Sequence, residues 1–111
     1  MSYLDRVVDD EYCTLILETT DDGEVHAHLT IYQWSAAIYK MLLSTWCDVL
    51  SVLNKRGVAV VHATAPTEVD EESLQTLRFQ LMFGFVPVAK HKIEGTDREC
   101  YRSEVKTAHG N

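Results

Sequence analysis

A chain of 111 residues with 46% hydrophobic content has room for one domain and one core, and that apolar content argues against disorder over most of its length. A net charge of -7 argues against a phosphate backbone or an anionic membrane as the main partner, because both need a basic surface. The three cysteines, Cys13, Cys47 and Cys100, are odd in number, widely spaced and form no CxxC pair, which points to reduced thiols in a cytosolic setting.

Residues 1–11 are acidic and aperiodic, predict no element, and carry no apolar run that would make a secretory leader. From Tyr12 to Thr20 the chain alternates, with Cys13, Leu15 and Leu17 against Thr14, Ile16 and Glu18, the pattern of a strand. Asp21-Asp22-Gly23 predicts a turn of the Asp-Gly type, which favours a tight hairpin because both residues tolerate positive φ. Alternation resumes from Glu24 to Tyr32: Val25, Ala27, Leu29 and Ile31 share one face, His26, His28, Thr30 and Tyr32 the other. Residues 12–32 therefore predict an antiparallel hairpin.

Ser35 offers an N-cap, and no Gly or Pro follows before Gly57. Ile38, Leu42, Trp46, Val49 and Leu53, flanked by Met41, Thr45 and Val52, make one stripe of an amphipathic helix of about six turns. Lys55 and Arg56 suit its negative end and Gly57 the residue just past it. No segment approaches about 18 uninterrupted apolar residues, so no membrane-spanning helix is expected. Val58 to Thr64 is apolar on both faces except for His62, which predicts a strand in the middle of a sheet. Asp70 caps a second helix, with Glu71 and Glu72 at its positive end, a buried stripe of Leu74, Leu77, Leu81 and Met82, and Gly84 as its stop. Phe85 to Ile93, interrupted by Pro87, predicts a strand at an edge or bulge. A turn at Glu94–Asp97 and a last strand from Arg98 to Val105 follow, and the polar residues 106–111 are expected to be mobile, like residues 1–11. The predicted order is β-β-α-β-α-β-β: a single α/β (α+β) domain with a mixed, mainly antiparallel sheet and two helices.

That order, together with the stretch Leu77-Arg78-Phe79-Gln80-Leu81-Met82-Phe83-Gly84-Phe85, resembles the GNAT N-acetyltransferase fold, shortened at its N-terminus. The resemblance spans residues 12–105. It implies a place for the acetyl-CoA pyrophosphate at the start of the long helix, where the family has a Gln/Arg-x-x-Gly-x-Gly/Ala turn that lets phosphate approach backbone N–H groups. Here that segment reads Tyr32-Gln33-Trp34-Ser35-Ala36-Ala37, without a glycine, and Trp34 puts a large ring where close approach is needed. In the second helix Gln80 stands where the family commonly has a Tyr to protonate the leaving thiolate, and Ser73 falls where it has an Asn. A carboxamide is no general acid. Neither catalytic residues nor a bound cofactor are therefore expected. The chain is also similar in length, element order and terminal hairpin to small GNAT-like internal virion proteins of short-tailed bacteriophages. That likeness implies a non-catalytic protein of a virion or host cytoplasm, working through other virion proteins, a host protein or copies of itself.

Two other readings carry different chemistry. In a divergent acetyltransferase, Gln33, Trp34, Ser35, Ala36 and Ala37 would hold the acetyl-CoA pyrophosphate, and the strands Val25–Ile31 and Val58–His62 would splay for its pantetheine arm. In an acidic inhibitor of a host nucleic-acid enzyme, the clusters Asp9, Asp10, Glu11, Asp21, Asp22 and Glu68, Asp70, Glu71, Glu72 would meet a basic partner; their plainer role is in turns and helix caps. Tyr32, Trp34 and Tyr39 are candidates for a contact patch, since aromatic residues are enriched at interfaces, although Trp34, Tyr39 and Trp46 also suit a core. His26 and His28 are spaced like zinc ligands, with Glu24, His62 or Cys13 to complete a set, but two ordinary sheet histidines explain them as well, and no metal is expected. Cys47 is expected in semi-buried packing on the long helix and Cys100 as a strand residue; a thiol nucleophile would need a histidine base brought beside it by the fold.

Overall fold

The computed structural model describes residues 3–66, 71–92 and 95–108, apart from the side chains of residues 65, 66, 72, 73 and 75. Eight elements follow one another: β1 (Tyr3–Asp9), β2 (Cys13–Thr19), β3 (Val25–Ile31), α1 (Ala36–Lys55), β4 (Val60–Pro66), α2 (Glu71–Met82), β5 (Val86–Lys92) and β6 (Glu99–Lys106). The strands form one six-stranded, mostly antiparallel sheet in the order β1-β2-β3-β4-β6-β5. This is the expected α+β architecture with one strand more than predicted. The chain divides into two compact units, Met1–Val61 with Lys106–Asn111, and His62–Val105.

In the first unit, β1 corrects the reading of residues 1–11 as aperiodic and mobile: Tyr3 to Asp9 pair antiparallel with Thr19 to Thr14 of β2. A bulge between Arg6 and Val8 breaks the alternation, and most of this edge strand is exposed, so its sequence shows no period of two. Asp10 ties the β1–β2 turn, its Oδ1 accepting from the backbone N–H groups of Tyr12 (2.8 Å) and Cys13 (2.9 Å). The expected β2–β3 hairpin forms, with Leu15 opposite Leu29 and Leu17 opposite Ala27. The turn forms where the Asp-Gly pair predicts it. Only Gly23 has positive φ (+84°), the N–H of Gly23 donates to the carbonyl of Thr20, and that of Thr20 to the carbonyl of Glu24. This is a type I turn closed by a glycine bulge, which asks left-handed backbone of one residue instead of two.

Helix α1 starts on Ser35, whose extended backbone (φ -155°) precedes the first turn and whose Oγ accepts from the N–H of Ile38. Its buried side chains are Leu42, Trp46, Leu50 and Leu53. Leu50, absent from the predicted stripe, is fully buried, while Val52 is exposed. By length and composition alone α1 could cross a membrane, yet this apolar stripe is committed to the core. The helix ends as Gly57 predicts: the N–H of Val58 reaches back to the carbonyl of Leu53 and that of Gly57 to Asn54, a paired closure that needs positive φ at Gly57 (+84°). Residues 106–107 are likewise not a loose tail. Lys106 ends β6, and Thr107 is buried, donating through Oγ1 to the carbonyl of Val58 and through N–H to that of Ala59, and accepting from Asn54 Nδ2.

In the second unit, Val61, His62 and Ala63 of β4 are all buried, as a two-sided apolar strand requires. The predicted stripe of α2 is wrong. Leu74, Leu81 and Met82 are exposed, whereas Thr76, Leu77, Phe79 and Gln80 are half-buried and Phe83, just past the helix, is buried. The reason lies in the helix end. The N–H of Phe85 returns to the carbonyl of Gln80 and that of Gly84 to Leu81, and this closure buries Phe83 and Phe85 on either side of Gly84 (φ +90°). Two phenyl rings anchored there fix the helix's rotation over the competing leucine pattern. The candidate cap Asp70 lies outside the described residues. Strand β5 is an exposed edge with a bulge between Pro87 and Ala89, as Pro87 suggested.

Replacing Gly57 by Ala should cost about 1–2 kcal/mol in chemical denaturation, the ordinary penalty for a side chain at left-handed backbone. Gly84→Ala should cost more, because its Cβ would also meet Val105 Cγ2 at 3.1 Å while nothing crowds Gly57.

Candidate functional site

Three places carry the predicted chemistry. The first is the entrance to α1. The N–H groups of Tyr32 and Gln33 both donate to the carbonyl of Tyr12 (2.7 and 3.2 Å), which pins this loop to the start of β2. Tyr32 Oη lies 3.1 Å from Thr14 Oγ1, and its ring is 60% exposed. Trp34, 45% exposed, meets Tyr39 edge to face at 5.5 Å between ring centres. Residues Gln33, Ser35, Ala36 and Ala37 are exposed, and the first turn carries no acid to offset the helix dipole. Ser35 occupies the Ile38 N–H through its own hydroxyl (3.2 Å), and the carbonyl of Ser35 takes the N–H of Tyr39 (3.0 Å). Of the candidates, Tyr32, Trp34 and Tyr39 thus gather at one helix end, and Trp46 belongs to the core.

The second place is Gln80. Its Nε2 donates to the carbonyl of Thr64 (3.0 Å), so the amide is fixed and its Oε1 faces away from that bond. A carboxamide has no acidic proton to give, so this side chain is no general acid.

The third place was not foreseen as a cluster. Cys100, Arg102 and Glu104 recur every second residue on β6 and therefore share a face. Beside them is buried His62, whose Nδ1 lies 3.2 Å from Arg102 Nη2 and 3.5 Å from Glu104 Oε1. Across the β5–β6 hairpin, His91 Nε2 lies 3.2 Å from Cys100 Sγ. Cys100 thus has the histidine a nucleophile needs, yet it is only 2% exposed. The alternation of Cys100, Arg102 and Glu104 was visible in the sequence; their meeting with His62, some forty positions away, required the register of β4 and β6.

The remaining candidates have local explanations. His28 Nε2 is 3.1 Å from Glu18 Oε1 across the hairpin, and among the described residues no group of three His, Cys, Asp or Glu could hold a metal ion. In the first acidic cluster Asp10 ties a turn and Asp9 pairs with Arg6 at 2.9 Å. In the second, Glu71 is exposed at the start of α2, Glu68 and Asp70 lie outside the described residues, and so does the side chain of Glu72. Cys47 is exposed instead of semi-buried.

Comparison with known proteins finds no matching family model and no matching curated protein. Solved structures do match, and they are GNAT-fold acetyltransferases. A GNAT-family protein from Desulfovibrio desulfuricans aligns over 96% of this chain and 69% of its own, with a TM-score of 0.69 and 14% identity. A chimera of spermidine N-acetyltransferase from Vibrio cholerae and hSSAT aligns over 96% and 67%, with a TM-score of 0.64 and 13% identity. A Bacillus subtilis acetyltransferase in complex with CoA aligns over 88% and 70%, with a TM-score of 0.59 and 15% identity. The chain therefore has the GNAT fold, and it spans about two thirds of the length of these three structures and 56–61% of three others.

The thiols differ in a way that can be measured. Cys47 should react with a disulfide reagent in the native protein, while Cys13 and Cys100, both buried, should react only on unfolding. Burial, and then the Asp10 carboxylate beside it, push the Cys13 thiol up from its ordinary value. Because the raised value belongs to the folded state, its share of stability is intact below about pH 8.5 and is lost as pH rises through the folded value. Cys13→Ala should accordingly lose less stability than the natural chain between neutral and strongly alkaline pH.

Proposed function

We propose that this is a GNAT-fold protein that works by binding another protein and does not transfer acetyl groups. The observation that carries the reading is the entrance to α1. A diphosphate needs a bare backbone turn with its N–H groups turned outward. Here Ser35 spends its hydroxyl on the Ile38 N–H, Trp34 and Tyr39 pack as a pair, and no glycine occurs between Gly23 and Gly57. Gln80, tied to Thr64, supports the same reading from the second helix. The half-exposed rings of Tyr32 and Trp34 supply the contact surface, of the kind that aromatic residues make at interfaces. The setting that goes with this reading is the one the phage-protein resemblance implies: a virion component, or a phage protein acting on a host protein.

A second reading, residual acetyl-CoA binding, is favoured by one observation. The Bacillus subtilis neighbour is a complex with CoA. In that case Gln33 to Ala37 would hold the pyrophosphate at a helix end that has no acid in its first turn. The cofactor would supply the acetyl thioester; the chain's own share would be backbone N–H groups and the positive end of α1.

Thermal denaturation with acetyl-CoA separates the two. The first reading, a protein-binding role, expects no change in midpoint at millimolar cofactor. A saturable rise, which reaches about 2.7 kcal/mol at 100 times the dissociation constant, would overturn it.

A further inference from the structure

The loop that leads into α1 is fixed against the β1–β2 turn. The N–H groups of Tyr32 and Gln33 donate to the carbonyl of Tyr12, and Asp10 Oδ1 accepts from the N–H groups of Tyr12 and Cys13. Both segments belong to the first unit. The join brings two kinds of exposed side chain together. Tyr12, 39% exposed, adds a third ring to those of Tyr32 and Trp34, and the exposed acids Asp10 and Glu11 precede it in the turn. Arg6, the one cation of β1, is taken by Asp9 at 2.9 Å, and among the described residues nothing pairs with Glu11. This surface is therefore aromatic and negative at once, on a chain whose net charge is -7.

We propose that the partner docks here through arginine: a basic segment whose guanidinium lies over the rings of Tyr12 and Tyr32 and bonds the Glu11 carboxylate. This rests on the protein-binding reading above and names the chemistry of its partner. The argument is one of complementarity. An aromatic face attracts a cation, and a flat guanidinium can stack on a ring while its fork of donors reaches a carboxylate. An ammonium is a compact, strongly hydrated charge and gains less. Tyr32 is held by the contact of its Oη with Thr14 Oγ1 (3.1 Å), so its ring is ordered before a partner arrives. Arg, Tyr and Trp are also the residues that concentrate binding energy at interfaces. An acidic segment would meet Asp10, Glu11 and the chain's own negative charge, which oppose its approach. The positive end of α1 disfavours a cation at Ala36 and Ala37. The guanidinium therefore belongs on the turn side of the patch, and Trp34 supplies apolar contact to the rest of the segment.

The test titrates short blocked peptides of alternating Arg-Gly, Lys-Gly and Glu-Gly into the full chain. It follows the backbone amide signals of Glu11, Tyr12 and Tyr32 and the indole N–H signals of Trp34 and Trp46. The arginine peptide should shift the first four saturably at millimolar concentration and leave that of buried Trp46 in place. The lysine peptide should bind several-fold more weakly and the glutamate peptide not at all. Glu11→Gln, an exchange in an exposed turn, should weaken the arginine peptide several-fold. No saturable shift with the arginine peptide, or equal binding of it and either other peptide, would overturn the proposal, and these comparisons need no variant to fold. Movement of the same signals when the chain alone is concentrated would overturn it too, because a second copy would then be the occupant. The protein-binding reading is judged separately. It falls if acetyl-CoA shifts the signals of Ser35 to Ile38, and it survives if the glutamate peptide binds in place of the arginine one, a result that overturns only the arginine assignment.

Discussion

A helix that caps itself has less to offer a ligand. At the head of α1 the Ser35 hydroxyl takes the Ile38 N–H and the Ser35 carbonyl takes that of Tyr39, while the loop before it is bound by two N–H groups to the carbonyl of Tyr12. The same contacts that start the helix also tie it to the start of β2, and under the proposed function they leave no bare backbone turn for a diphosphate. A serine cap is worth about 1 kcal/mol to a helix, and at this position it competes with what a glycine turn would provide.

The second unit makes a comparable exchange. Gly84 allows the chain to reverse at the end of α2 and bury Phe83 and Phe85, and those rings set which side of the helix faces inward. That rotation puts Gln80 half inside, bonded to Thr64, and leaves Leu74, Leu81 and Met82 outside. The Gln80 amide is thus held by its bond to Thr64. On the opposite face of β6, His62, Arg102 and Glu104 gather with the Cys100–His91 pair nearby, a polar group that the fold protects but to which neither proposal assigns a reaction.

Much of this was legible in the sequence. The alternation of Cys13 to Ile31 indicated the hairpin, and Ser35 and Gly57 marked both ends of α1, because caps and alternation are local signals. What escaped was set by distant partners or by local irregularity. Strand β1 has a bulge at its centre and an exposed edge, so no period of two survives in Tyr3 to Asp9. In α2 the leucine spacing was a sound helical pattern, but the aromatic anchors beyond its end overruled it. The meeting of His62 with Arg102 and Glu104 depends on strand register across the sheet and leaves no trace in either segment. The element order, by contrast, was enough to suggest the GNAT fold, which the solved structures bear out at 13–14% identity.

The central claim is that the head of α1 is closed to diphosphate by its own side chains, and the backbone amides there report on it directly. Nuclear magnetic resonance spectra of the uniformly labelled protein, recorded while CoA is added to several millimolar, would follow the signals of Ser35, Ala36, Ala37 and Ile38. The account predicts that they stay where they are. A saturable shift of these four, with the Trp34 ring signal moving alongside them, would mean that the helix end opens to the nucleotide and would contradict it.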